Sequence, residues 1–320
     1  MEPCVGSTGR RHTNHLRGIS SVMAITPKIS LGSIQYYWSK QTILDFYAEA
    51  ASSNANTIYL GETVCSKRRS MSTQDWIDLA IQLEKLGKHC VLSSLTLIES
   101  ESEVSALRSM IKRSELWIEA NDYAAVQIAR ELKRPFVAGS NLNIYNTHTL
   151  SVLAKQGMVR WHAPLEMSAS SLSETLVAMQ EDASLQRLET EIQIYGRLAL
   201  SHAARCFTAR AANLPKDQCE TRCIAHHDGF TMQTQDKQSL FQVNGIQIQS
   251  YKRCNLIPYL NTITNMGIDM VRFYAEDNNT LNIINQLHAS TDSPRISLQD
   301  ESLCNGYWHG KPGMEFNIDA

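Results

Sequence analysis

Three cysteines fall within the nineteen residues of "RCFTARAANLPKDQCETRC" (205–223), and a fourth stands far upstream in "GETVCSKRR". Cys206, Cys219 and Cys223 follow the spacing C-x12-C-x3-C, and 140 residues separate Cys65 from Cys206. Thiolates are the ligands of zinc and of iron–sulfur clusters, so four that converge can hold a tetrahedral zinc ion or a [4Fe-4S] cluster. Close-set structural zinc sites use short pairs such as C-x2-C, which this chain lacks. The long gap therefore suits a cluster docked on a formed fold better than a zinc-nucleated knuckle. Lys67, Arg68, Arg69, Arg205, Arg210, Lys216 and Arg222 flank these thiols. A four-thiolate cluster is anionic, and basic surroundings would stabilise it and raise its potential; a solvated loop face is the competing reading of the same charges.

Other residues offer narrower chemistry. His226 and His227 follow Cys223 and could supply the nitrogen of a Cys3His zinc site. His162 in "RWHAP" ends a strand-like run and is a candidate for proton transfer, against a purely structural hydrogen-bonded histidine. Glu62 and Arg160, also at strand ends, are candidates for a pocket wall. Cys90 and Cys254 read as buried small apolar residues. Cys4 falls in an N-terminal tail, and Cys304 is not assigned as a ligand. No G-x-S-x-G elbow and no H-E-x-x-H helix occurs, so neither of these hydrolytic signatures is available.

The elements that must position the thiols alternate in type. Strands are expected at 33–38, 56–61, 89–97, 115–120, 135–140, 158–164, 188–196 and 270–276. In "STQDWIDLAIQLEKLG", Trp76, Leu79, Ala80 and Leu83 recur at helical spacing, with Ser72 and Asp75 placed as a capping pair and Gly87 as a stop. Gly157 and Gly267 mark similar helix ends. Parallel strands need long crossovers and cover on both faces, so eight strand–helix units predict an α/β fold, a (β/α)8 TIM-barrel-like structure. About 80 residues separate the last two strand starts, and the clustered cysteines lie in that excess, which is longer than an ordinary loop. Loops after the second and seventh strands lie on the C-terminal face of such a barrel, where active sites gather.

Bulk properties agree with a large core. A chain of 320 residues buries roughly three quarters of its unfolded surface, and 43% hydrophobic with 19% charged residues is ordinary for a globular protein. A formal net charge of -2 argues against a nucleic-acid binder. No apolar run approaches the length of a membrane span, and no secretory signal is apparent, so a cytoplasmic protein with reduced cysteines is expected. Residues 1–28 are expected as an N-terminal tail or misassigned start, with Met23 an alternative beginning, and 29–320 as a single barrel-like domain.

Six segments, "IYLGETVCSKRRS", "PFVAGSNLNIYN", "KQGMVRWHAPLE", "ARCFTAR", "PKDQCETRC" and "CNGYWHGKPGMEF", resemble the ubiquinone-biosynthesis members of the collagenase-like, U-type peptidase family. The resemblance runs from about Ile29 to the C-terminus; the first 22 residues have no counterpart, and His309 and Lys311 stand where arginine-rich character is expected. It implies an oxygen-sensitive [4Fe-4S] cluster held by Cys65, Cys206, Cys219 and Cys223. It also implies a heterodimer with a UbiU-like paralogue, a sterol-carrier-like lipid-binding accessory protein, and O2-independent hydroxylation of polyprenylated aromatic rings under anaerobic conditions with prephenate as oxygen donor. The alternatives are an electron-relay or redox-sensing cluster protein and a zinc-clipped peptidase.

Overall fold

The computed structural model describes residues 27–289 and 302–317. Its first half alternates β1 (Lys28–Gly32), α1 (Lys40–Ala51), β2 (Thr57–Leu60), α2 (Thr73–Lys85), β3 (His89–Ser93), α3 (Glu101–Arg113), β4 (Trp117–Ala120), α4 (Tyr123–Glu131) and β5 (Phe136–Ala138). The second half continues with α5 (Thr147–Ala154), β6 (Met158–His162), α6 (Ala169–Glu181), β7 (Glu189–His202), α7 (Phe207–Ala211), β8 (Phe230–Gln233), β9 (Ser239–Asn244) and β10 (Gln247–Asn255). It ends with α8 (Leu260–Asn265), β11 (Met270–Tyr274), α9 (Asn278–Ala289) and β12 (Leu303–Cys304). Strands β1 to β7 pair in parallel with their sequence neighbours; β11 pairs in parallel with both β7 and β1 and closes the ring. The result is a closed eight-stranded parallel barrel with helices between strands, as expected from the alternation.

Local signals explain most elements. Ser72 accepts from the Asp75 N–H while the Asp75 carboxylate accepts from the Ser72 N–H, a capping box that starts α2. Trp76, Leu79, Ala80 and Leu83 form the buried stripe of that helix. Gly87, Gly157 and Gly267 all take positive φ at the helix-to-strand turns.

Two strands differ most from expectation, and β3 ends at Ser93, short of the expected 97. The first strand is Lys28–Gly32, and "SIQYYW" (33–38) forms the loop after it. Tyr36 and Trp38 are buried by packing at the barrel mouth, not by a ladder, and aromatic richness alone does not distinguish those environments. Strand β7 runs past the expected residue 196 to His202. Gly196, at φ +109, lies where the chain leaves the barrel wall. Beyond it β7 pairs antiparallel with β10, and β10–β9–β8 extend that sheet over the mouth. The long segment between the seventh and eighth barrel strands is therefore a small antiparallel sheet with α7 and short 3-10 turns.

The lumen is lined by paired charges. Arg272 pairs with Glu119 and, at 2.8 Å, with Glu191, and its guanidinium lies 3.8 Å from the Tyr59 ring centre. Tyr59 donates to Glu191 at 2.6 Å and accepts from Arg160 at 2.9 Å. Burial alone would raise the Glu191 carboxyl; Arg272 and Arg160 outweigh it and hold the group well below the usual carboxylate range. Residues 1–26, including Cys4 and most of the expected tail, lie outside the described residues. Among the described residues no helix is long and apolar enough to cross a membrane.

Candidate functional site

Cys65 lies in the loop between β2 and α2, and one carboxylate organises that loop. Glu62 accepts from the N–H groups of Val64 (2.9 Å) and Cys65 (3.0 Å). Burial raises the Glu62 carboxyl, with Arg68 and the two N–H donors pulling the other way. Arg68, whose side chain is 1% exposed, donates through Nη1 to the Gln35 carbonyl at 2.7 Å and through Nη2 to Asn244 Oδ1 at 2.6 Å. Its Nη1 is 3.7 Å from Glu62. The same guanidinium lies beside the Cys223 thiol and favours its thiolate.

The other three thiols come from the segment that follows β7. Cys206 caps α7, and Ala209 N–H donates to its Sγ at 3.4 Å. The two-residue turn of the β9–β10 hairpin holds that helix in place: Phe207 N–H donates to the Gly245 carbonyl (2.8 Å) and Gly245 N–H to Thr208 Oγ1 (3.0 Å). Between Cys219 and Cys223 the chain reverses through Glu220 and Thr221, both left-handed at φ +48 and +51. Each such non-glycine residue costs on the order of 1 kcal/mol, and backbone strain of this kind tends to gather at functional sites. Lys67 ties the two halves together, donating to the Lys216 carbonyl (2.8 Å) and to Asp217 (3.0 Å). Lys216 in turn donates to the Ala204 carbonyl at 2.8 Å and pairs with Glu99.

Cys65, Cys206, Cys219 and Cys223 line one cavity, together with Lys67, Arg68, Thr208 and Gly245. All four are half-buried and free. Burial pushes the Cys65 and Cys223 thiols up, and Arg68 opposes this at both. A cation or metal that offsets burial is what would let these sulfurs ionise. Among the described residues no three His, Cys, Asp or Glu side chains converge closely enough to hold a single metal ion. A donor set of thiols alone, with the buried Arg68 and the half-buried Lys67 and Lys216 beside it, fits an anionic four-iron cluster; one zinc ion would need each sulfur at about 2.3 Å from a common centre.

The other candidates are elsewhere. His227 stacks on Trp38 with ring centres 4.8 Å apart, His226 tilts against Phe230, and neither lines the cavity. His162 is buried at the end of β6, and neither ring nitrogen has a hydrogen-bond partner. Burial and then Arg272 hold its imidazole neutral. Arg160 is not at a strand end: it occupies the middle of β6, paired with Glu189, facing a cavity at the opposite mouth of the barrel. Cys90 is buried in β3, and burial pushes its thiol up to about 12. Cys254 lies within β10, not merely ahead of a helix, and Cys304 lies in β12. The residues that sequence reading passed over are Gln35, Asn244 and Gly245. "VNGI" is a tight-hairpin signal that could have located the last two.

Solved structures similar to the chain share low identity with it. A chain of the tryptophan synthase complex from Pyrococcus furiosus matches at 13% identity and TM-score 0.43, covering 82% of this chain and 90% of that one. A dihydropteroate synthase from Thermus thermophilus matches at 9% and 0.40, covering 83% and 95%. The U32 peptidase Mk0906 matches at 12% and 0.42, covering 86% and 97%. The family model for peptidase family U32 matches residues 44–275, a span that runs from α1 to the end of the barrel and takes in all four cavity cysteines, and the chain belongs to that family.

Proposed function

We propose that the chain is a UbiV-like iron–sulfur subunit of an O2-independent ring hydroxylase in ubiquinone biosynthesis, acting with a UbiU-like partner. The observation that carries this reading is the lining of one cavity by Cys65, Cys206, Cys219 and Cys223, drawn from two loops 140 residues apart in the chain. Bound there, a [4Fe-4S] cluster would supply one-electron chemistry at a potential set by its surroundings.

The chain's own residues do the rest. Glu62 fixes the backbone of the Cys65 loop; the hairpin turn at Gly245 fixes the N-terminal end of α7 and with it Cys206. Arg68 places a fixed positive charge beside the thiols, where it favours thiolates and any anionic group they hold. Lys67 ties Lys216 and Asp217 to the Cys65 loop, and Lys216 bonds to the Ala204 carbonyl and pairs with Glu99.

The long gap between Cys65 and Cys206 and the lack of any short C-x2-C pair favour a cluster over one structural zinc ion. Protein purified without oxygen is expected to hold about four irons and four acid-labile sulfides per chain, with visible absorption that bleaches in air. Cys206→Ala should lose most of the iron and anaerobic ubiquinone formation, while Cys254→Ala retains both. One zinc per chain without sulfide would overturn the cluster, and equal losses from the two variants would overturn the ligand assignment.

A further inference from the structure

Two cysteines remote from the thiol cavity face each other. Cys254 on β10 and Cys304 on β12 are direct partners in the parallel pairing of those strands. Both are buried, and both line one cavity of about 30 Å3 with walls that include Leu198, Leu256 and Trp308. Neighbouring strands run about 4.8 Å apart, inside the Cα separation of about 4.4–6.8 Å that a disulfide spans. The shared cavity puts the two side chains on one face and leaves room for about one water-sized group, slack in which a thiol can change rotamer. Burial pushes the Cys304 thiol up to about 12 and raises the Cys254 thiol well above its usual value, so both stay protonated while β12 is in place.

The pairing has a structural consequence. β12 is two residues long, and with the bond from Arg253 N–H to the Ser302 carbonyl (2.8 Å) it joins the segment 302–317 to β10. So short a ladder has few backbone bonds to break, although Leu303 and Cys304 are themselves buried.

We infer that Cys254 and Cys304 form a redox latch: an oxidant of the disulfide class, such as glutathione disulfide, converts the pair into an intramolecular disulfide that ties the C-terminal segment to β10. When β12 lifts, one cysteine thiolate attacks glutathione disulfide and releases one glutathione thiol, leaving a mixed disulfide. The second cysteine attacks the protein sulfur of that bond, forms the Sγ–Sγ link and expels the second glutathione. The cysteines lose two electrons and two protons, and glutathione disulfide gains them. The inference stands apart from the cluster reading, since neither residue lines the thiol cavity.

The test is to incubate the full chain with glutathione disulfide, alkylate remaining thiols under denaturing conditions, and map peptides without reduction. The expected product is a linked peptide containing Cys254 and Cys304, about 2 Da lighter than the two thiol peptides together. Its formation should raise Tm, and dithiothreitol should reverse both changes; in Cys304→Ser neither should occur. The latch is overturned if both cysteines stay alkylatable after oxidation, or if glutathione remains attached to one of them without closure. The map of the unaltered chain decides the matter even where Cys304→Ser fails to fold.

Discussion

Arg272 in the lumen and Arg68 at the mouth are both withdrawn from water, with side chains 0% and 1% exposed, yet their partners differ. Arg272 has two carboxylates within ion-pair distance, Glu119 and Glu191, and its charge is matched inside the barrel. Arg68 has a carbonyl, an amide oxygen, a single carboxylate at 3.7 Å, and a thiol. Burying a charge is costly without a counter-charge. The lumen cation is therefore part of a matched set, whereas the mouth cation, with one more distant carboxylate, has charge left over that suits an anionic group at the thiols.

The contrast is broken most forcefully from the lumen side. Arg272→Met should leave Glu119 and Glu191 buried without their cation and cost about 3–5 kcal/mol of stability, measured by denaturant unfolding. Iron content per folded molecule should not change. A variant as stable as the parent would show that the lumen charges are not a matched set.

Acid tests the same network. The Glu191 carboxyl is depressed in the folded protein, so its contribution is fully present above the unfolded carboxylate value of about 4.3 and is lost as pH falls below it. Glu191→Gln should be less stable than the parent at about pH 7, and it should lose less further stability between neutral and acid pH. Parallel curves for the two proteins would remove Glu191 from the account.

At the mouth the effect should fall on the site and not on the fold. Arg68→Gln retains a side chain able to hydrogen-bond but removes the charge, and should weaken iron retention against a chelator about 10–100-fold, the usual consequence of losing a residue that supports metal ligands. The unfolding midpoint should move far less than in Arg272→Met. Undiminished iron retention would make Arg68 a scaffold residue like Arg272 and erase the difference between the two regions.

How much of this can be read from the sequence follows the range of the interactions. The helix α2 is legible because Ser72, Asp75 and the stripe from Trp76 to Leu83 are local. The thiols fall on one face because a loop after a barrel strand has only one end to occupy. The start of β1 is not legible, because "SIQYYW" has strand composition but buries its aromatics in a loop. Nor is the burial of Arg68, since it rests on Gln35 and Asn244, 33 and 176 residues away. The sequence shows a basic neighbourhood without saying which cation is enclosed.

The smallest expected effect separates the site from the backbone. Gly245 has φ +70, and a methyl group there would stand 2.9 Å from Arg68 Nη2. Gly87 has φ +86 with nothing within 4 Å of the corresponding position. Alanine at either glycine should cost about 1–2 kcal/mol through the left-handed backbone alone. Only Gly245→Ala also pushes on the guanidinium and on the turn that holds Phe207 and Thr208, so it alone should reduce iron retention, and by less than Arg68→Gln does. Equal iron retention in the two alanine variants would mean that the hairpin turn braces α7 without positioning the cation. Loss confined to Gly245→Ala would tie the mouth cation, the hairpin and the thiol cavity into one unit that the lumen charges do not share.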